Sequence, residues 1–192
     1  MASLSDAARP AISQGTVYGV GHGGRMAATK ISTGERLWSL NLAGVHTPWV
    51  AGDNIFVVGV SGQLLAISRK DGKIRWTVQL PGAKTWAGPV LAGGLLWLAS
   101  NKGQLVGVDA LTGRVTRQQS LGSPVYVSPV VVQGRMFVFT DNARLIALNQ
   151  SGTFCFETRD RCWRHVAFHF VTFRICRRLS NALARKTSLL GN

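Results

Sequence analysis

Five residues near the C-terminus have the types and spacing of a metal site: Cys155, Cys162, His165, His169 and Cys176. The C-x2-H-x3-H core would put His165 and His169 on one face of a helix, where both imidazoles could ligate zinc. The outer spacings match no common zinc module, and there is no C-x-x-C pair. Elsewhere the acid–base and nucleophilic residues are scattered. His22 in Gly21-His-Gly-Gly24 and His46 in Val45-His-Thr-Pro48 have no nucleophile or carboxylate at a fixed spacing. The Gly21-x-Gly23-Gly24 run is no phosphate loop, because strand-like sequence flanks it and no helix start follows. Asp53, Asp71 and Asp109 fall at turns or strand ends, and Asp141 sits in a loop beside Asn142. Aspartates at such places ordinarily satisfy local backbone N–H groups. The residues therefore predict a chain that is not an enzyme, with no catalytic residue, no metal, no cofactor and no small-molecule substrate.

What must position these residues is a repeat. Pro10, Pro48, Pro89 and Pro129 each open a copy, at spacings of 38, 41 and 40 residues. Eight residues on stands an aromatic: Tyr18, Phe56, Trp97 and Phe137. Fourteen on stands a small residue, Gly24, Gly62, Gly103 and Ala143; twenty-four on, a turn glycine in three copies, Gly34, Gly72 and Gly113. Twenty-eight on come Trp38, Trp76 and then Arg117. A period near 40 with a rigid internal register means one supersecondary unit reused.

Within a copy the runs are short, rich in β-branched, leucine or aromatic residues, and bounded by Gly, Asn or Asp. This predicts four antiparallel strands, a to d, joined by tight turns. No stretch before the tail keeps a 3.6-residue apolar period. Runs such as Ile55–Val58 and Val130–Val132 are apolar at every position, as in sheets covered on both faces. A lone four-stranded sheet cannot bury both faces, so copies must stack, and radial stacking gives a β-propeller. The fold class expected is all-β: a propeller of about four blades forming an open arc, followed by a basic tail outside the repeat. Trp38 and Trp76 are expected to wedge between neighbouring blades, and Arg117 weakens the third wedge.

The segments Ser32-Thr33-Gly34-x-x-x-Trp38, Lys70-Asp71-Gly72-x-x-x-Trp76 and Gly107-Val-Asp109-Ala-Leu-Thr112-Gly113 resemble the PQQ-type β-propeller repeat of quinoprotein dehydrogenases and their non-enzymatic relatives. Residues 9–149 look most like the C-terminal part of the outer-membrane assembly factor BamB. The segments that carry this are Arg9-Pro-Ala-Ile-Ser, Gly19-Val-Gly-His-Gly-Gly24, Thr47-Pro-Trp-Val-Ala-Gly52, Leu65-Ala-Ile-Ser-Arg-Lys-Asp-Gly72 and Ala143-Arg-Leu-Ile-Ala-Leu-Asn149. The resemblance implies a periplasmic, non-catalytic scaffold at the inner face of the outer membrane. Its implied partner is BamA, the barrel subunit of the machine that inserts β-barrel proteins. The alternative is a fragment of a PQQ-dependent dehydrogenase. Such an enzyme needs a catalytic aspartate, a Ca2+ cage of acidic and amide oxygens and usually adjacent cysteines, and residues 1–149 offer few acids and no cysteine.

Composition divides the chain at Asn149. Residues 1–149 hold 14 Lys and Arg against 6 Asp and Glu, while residues 150–192 hold 8 against 2 and all three cysteines. Residues 150–192 leave the repeat register. They read as sequence past a frameshift, or as a basic amphipathic segment through Val166–Leu190. Thr153–Glu157 nevertheless alternates as a strand would, where strand d of the fourth copy belongs. The charge excess is therefore no argument for nucleic acid. Residues 1–9 show no strand pattern and no lipoprotein signal, and are expected to be a disordered remnant; no transmembrane segment is expected.

In such a propeller the d–a and b–c connections share one rim. That rim would collect His22, His46, Trp86, Asn101, Lys102, Tyr126, Asp141 and Asn142. Loop aromatics and adaptable polar groups are typical contact residues. This is the expected protein-binding surface, with Trp86 and Tyr126 lining the central channel as the competing arrangement.

Overall fold

The computed structural model describes residues 8–149 and the backbone of one further strand, Phe154–Thr158. Its described residues form strands and turns only, in four antiparallel four-stranded sheets, each a simple meander. The first sheet contains β1 (Ala11–Ser13), β2 (Thr16–Val20), β3 (Arg25–Lys30) and β4 (Arg36–Asn41). The second contains β5 (Trp49–Ala51), β6 (Asn54–Val58), β7 (Gln63–Ser68) and β8 (Ile74–Gln79). The third contains β9 (Trp86–Ala92), β10 (Leu95–Ser100), β11 (Gln104–Asp109) and β12 (Val115–Ser120). The fourth contains β13 (Val130–Val132), β14 (Arg135–Phe139), β15 (Leu145–Leu148) and β16 (Phe154–Thr158). The alternating stretch after Gly152 thus supplies the last strand of the fourth sheet. The zinc and amphipathic assignments of the tail lie outside the described residues.

Successive sheets meet through their first strands, β1 with β5, β5 with β9 and β9 with β13. That is the blade arrangement of a partial β-propeller, with strand a innermost. Three apolar cores fill the gaps between sheets. Tyr18, Val20, Met26 and Ala28 face Ile55, Val57, Leu65 and Ile67. Phe56, Val58, Leu64 and Ala66 face Leu96, Leu98, Val106 and Val108. Trp97, Ala99 and Leu105 face Met136, Val138, Ile146 and Leu148. Because side chains alternate along a strand, each middle sheet spends one set on the preceding sheet and the other on the following one. That explains runs such as Ile55–Val58, which is buried at every position. Val130 and Val132 depart from this expectation: both are exposed, since they point away from the third sheet.

The turns repeat in conformation as well as position. At the b–c turns Gly24, Gly62 and Gly103 have φ of 90, 78 and 71°, and Ala143 takes the same left-handed region at 58°. A small residue recurs there because a positive φ is required, and alanine meets the requirement under strain. The c–d pairs carry a bulge at one register in three sheets, between Ala28 and Thr29, Ala66 and Ile67, and Gly107 and Val108. Each bulge adjoins the pairs Ala28 with Trp38, Ala66 with Trp76 and Gly107 with Arg117. A bulge bends its strand and re-aims the side chain beside it.

Candidate protein-interaction rim

The wedge tryptophans come first, because they fix the blades that carry the rim. Trp38 lies over Gly72 of the next sheet and Trp76 over Gly113 of the one after. The Trp38 indole Nε1 also donates to the Arg69 carbonyl at 2.9 Å. Tyr18 and Phe56 pack against these rings with centroids 6.2 and 5.9 Å apart. Both tryptophans therefore bridge blades.

The Asp residues of the c–d turns bind their own backbone. Asp109 Oδ1 accepts from Thr112 N at 2.7 Å, Thr112 Oγ1 at 2.8 Å and Leu111 N at 3.0 Å. The Thr112 N–H, and then its hydroxyl, hold the Asp109 carboxyl below the usual carboxylate range. Asp71 is lowered likewise, chiefly by the Ser68 hydroxyl, with Lys73 adding its N–H and a 3.6 Å ion pair. These carboxylates are occupied as turn-formers on the rim opposite the candidate surface.

On that candidate surface the structure brings some of the expected residues together. His22 and His46 border a pocket of about 190 Å³ completed by Val45, Val58, Gly59, Val60, Lys84, Thr85 and Trp86. His22 is exposed, whereas His46 is half-buried, and burial pushes its imidazole below the ordinary value. Asn101 joins the group through its backbone N–H, which donates to Thr85 O at 3.2 Å. Its buried Oδ1 has no hydrogen-bond partner. Lys102 beside it is exposed, its N–H donating to Ser100 Oγ at 3.3 Å.

A second group forms around the loop before β13. Asp141 N donates to Pro124 O at 2.8 Å, tying the b–c turn of the fourth sheet to the loop that carries Tyr126. Tyr126 is 56 % exposed and Val127 beside it is exposed as well. Asn142 accepts from Thr140 Oγ1 at 2.7 Å, so its carbonyl is committed to the turn.

Trp86 requires a correction: its side chain is 1 % exposed and cannot be offered to a partner. Strand a of the third sheet begins at Trp86, three residues before the proline that marks the repeat, pairing Trp86 with Ser100. The ring packs into the core between the second and third sheets, with Nε1 donating to Ala83 O at 2.9 Å. Sequence reasoning also missed Val45, Val60 and Val127, all exposed on this rim. A valine in a loop has no chemical signature, but their places in the d–a and b–c connections could have marked them.

The rim thus offers exposed aliphatic groups, a phenol, two imidazoles and two lysines. That set suits recognition of a protein surface, where a loop aromatic anchors and polar groups set register.

The sequence matches the family model described as outer membrane protein assembly factor BamB over residues 4–78 and 73–192. No curated protein matches it. Among solved structures, BamB from Moraxella catarrhalis is similar with TM-score 0.64 and 18 % identity, over 76 % of this chain and 46 % of that one. The quinohemoprotein alcohol dehydrogenase from Comamonas testosteroni is similar with TM-score 0.68 and 14 % identity, over 79 % of this chain and 34 % of that one. The chain spans less than half the length of either structure, and at these identities the likeness is one of fold.

Proposed function

Because the chain belongs to the family of outer membrane protein assembly factor BamB, we propose that it is a non-catalytic propeller scaffold. It acts on the periplasmic side of the outer membrane, in β-barrel protein assembly. Its d–a and b–c rim binds a protein partner, the BamA barrel subunit of the assembly machine. The observation that carries this reading is the adjacent pair Tyr126 and Val127, which stand exposed where an isolated chain gains nothing from burying them. Asp71 and Asp109, two of the few acids in the described residues, are engaged with their own turns.

Binding of the full chain to purified BamA tests the proposal. Measurable affinity is expected, weakened about tenfold by Tyr126→Ala with Val127→Ala, the loss of one interface anchor. No binding, or binding indifferent to that double substitution, overturns the rim assignment. A thermal shift on adding PQQ with Ca2+ would favour the dehydrogenase-like alternative, and none is expected.

A further inference from the structure

Charge divides unevenly between the two rims. Among the described residues the acids are Glu35, Asp53, Asp71, Asp109 and Asp141. The first four stand at a–b or c–d connections. Asp141, in the b–c turn of the fourth sheet, is the one carboxylate that the described residues place on the d–a and b–c rim. Arg25, Lys84 and Lys102 are all exposed along that rim, over the first three sheets. That stretch therefore carries positive charge with no acid beside it, whereas the opposite rim mixes both signs. A surface of one sign draws a partner of the other.

The pocket bordered by His22 and His46 opens within this stretch. Its polar side chains among the described residues are His22, His46, Lys84 and Thr85. Each can donate a hydrogen bond, and no carboxylate or side-chain amide stands among them. Val45, Val58 and Val60 set apolar wall beside these donors. The walls are fixed by backbone: Gly44 N donates to Gly21 O at 3.3 Å and Val60 N to Ala43 O at 3.2 Å. These bonds tie the first d–a connection to the b–c turns on both sides. A Cβ on Gly44 would stand 3.0 Å from Val20 Cγ2 and from Val58 O, so the connection sits as close as bare backbone allows. The volume is about 190 Å³. That is below the roughly 300–1,000 Å³ of sites for cofactors and drug-sized ligands, and suits a single side chain.

We propose that this pocket receives one acidic side chain, a glutamate or aspartate, from the protein partner. The Lys84 ammonium binds the carboxylate, the Thr85 hydroxyl and the imidazoles donate to it, and its methylene stem lies against the valines. The proposal rests on the rim assignment above and adds what the partner must carry. Lys84 is exposed, so the charge pair alone contributes modestly, and selectivity comes from a donor set with no competing acceptor carboxylate. Tyr126 and Val127 lie on a different connection, between the third and fourth sheets. One part of the rim thus offers an apolar anchor and another a charge that fixes register.

Two blocked pentapeptides test this on the full chain, one with glutamate between two Gly-Gly pairs and one with glutamine in its place. Nuclear magnetic resonance follows the imidazole signals of His22 and His46. The glutamate peptide should shift both saturably, and the glutamine peptide should bind about tenfold more weakly. Lys84→Gln should weaken the glutamate peptide about tenfold as well, and Lys84→Arg should restore it; circular dichroism confirms that both variants fold. Equal binding of the two peptides, or no shift of either imidazole, overturns the proposal. Purified BamA separates this from the rim assignment. If Tyr126→Ala with Val127→Ala weakens BamA binding and Lys84→Gln does not, the rim assignment stands and the acid pocket falls. If the glutamate peptide binds as expected and BamA does not, the chemistry of the pocket stands and the choice of partner falls.

Discussion

Trp38 sits on Gly72 so closely that a methyl group at that Cα would stand 2.7 Å from two carbons of the indole. Gly72 also has φ +70°. The glycine is thus required twice, once by its backbone and once by the ring of the neighbouring blade. Gly72→Ala should destabilise the chain by about 2 kcal/mol or more, combining left-handed strain with an overpacked contact. Urea denaturation measures it. Gly113→Ala should cost a similar amount, since Trp76 lies 2.7 Å from the corresponding position.

Arg69 of the second blade reaches the first at two points, Gln14 and Tyr18, and is braced within its own blade by Gly52. Its guanidinium donates to Gly52 O at 2.8 Å, Gln14 Oε1 at 3.1 Å and Tyr18 Oη at 3.2 Å, and lies 5.8 Å from the Tyr18 ring centre. Arg69→Met keeps the stem and removes the donors. It should cost about 1 kcal/mol, because the carbonyl and amide acceptors remain open to water. A loss below the error of the urea midpoint would show the clamp to be incidental.

Ala143 occupies the left-handed position that glycine fills in the other three b–c turns, with φ of 58°. Ala143→Gly should therefore stabilise the chain, against the usual sign of that change, by about 0.5–1 kcal/mol. A lower melting temperature for the variant would contradict the strain argument.

Acid should act in two separate windows. Burial holds His46 below its ordinary value, so the folded state favours neutral imidazole. The stability it contributes is complete above the unfolded value, about 6.5, and is lost as pH falls through the lower folded value. Asp109 is also lowered, first by the Thr112 N–H. Its contribution is present above the ordinary carboxylate value and lost as pH falls through the lower folded one. His46→Gln should flatten only the upper slope of stability against pH, and Asp109→Asn only the lower.

Much of the architecture was legible because the repeat states it four times. The positions of Gly34, Gly72 and Gly113 gave the c–d turns, and Trp38 and Trp76 gave the seams between blades. The strand Phe154–Thr158 was readable from the alternation of Thr153–Glu157 alone. What the pattern hid was where strand a begins in the third copy. There β9 extends back to Trp86, since Leu80 and Ala83 offer a core for its ring, and a residue assigned to the rim moved inside. The exposure of Val130 and Val132 was hidden for a related reason. A continuous apolar run says that both faces are fit for burial, and only the neighbouring sheet decides whether both are buried. The rim valines could not be found by residue type, because their significance lies in exposure.

The seating of Trp38 on Gly72 and Trp76 on Gly113 runs in one direction along the chain. The first and second sheets each roof a turn of their successor, and neither ring covers a turn of a preceding sheet. Fraying from the two ends should therefore be unequal. Opening the first sheet withdraws a ring from the second and loosens its c–d turn, whereas opening the fourth takes no tryptophan from the third. Amide exchange should spread forward from β4 (Arg36–Asn41) into the turn around Gly72 as one event, so that the smallest unit to open together straddles two blades.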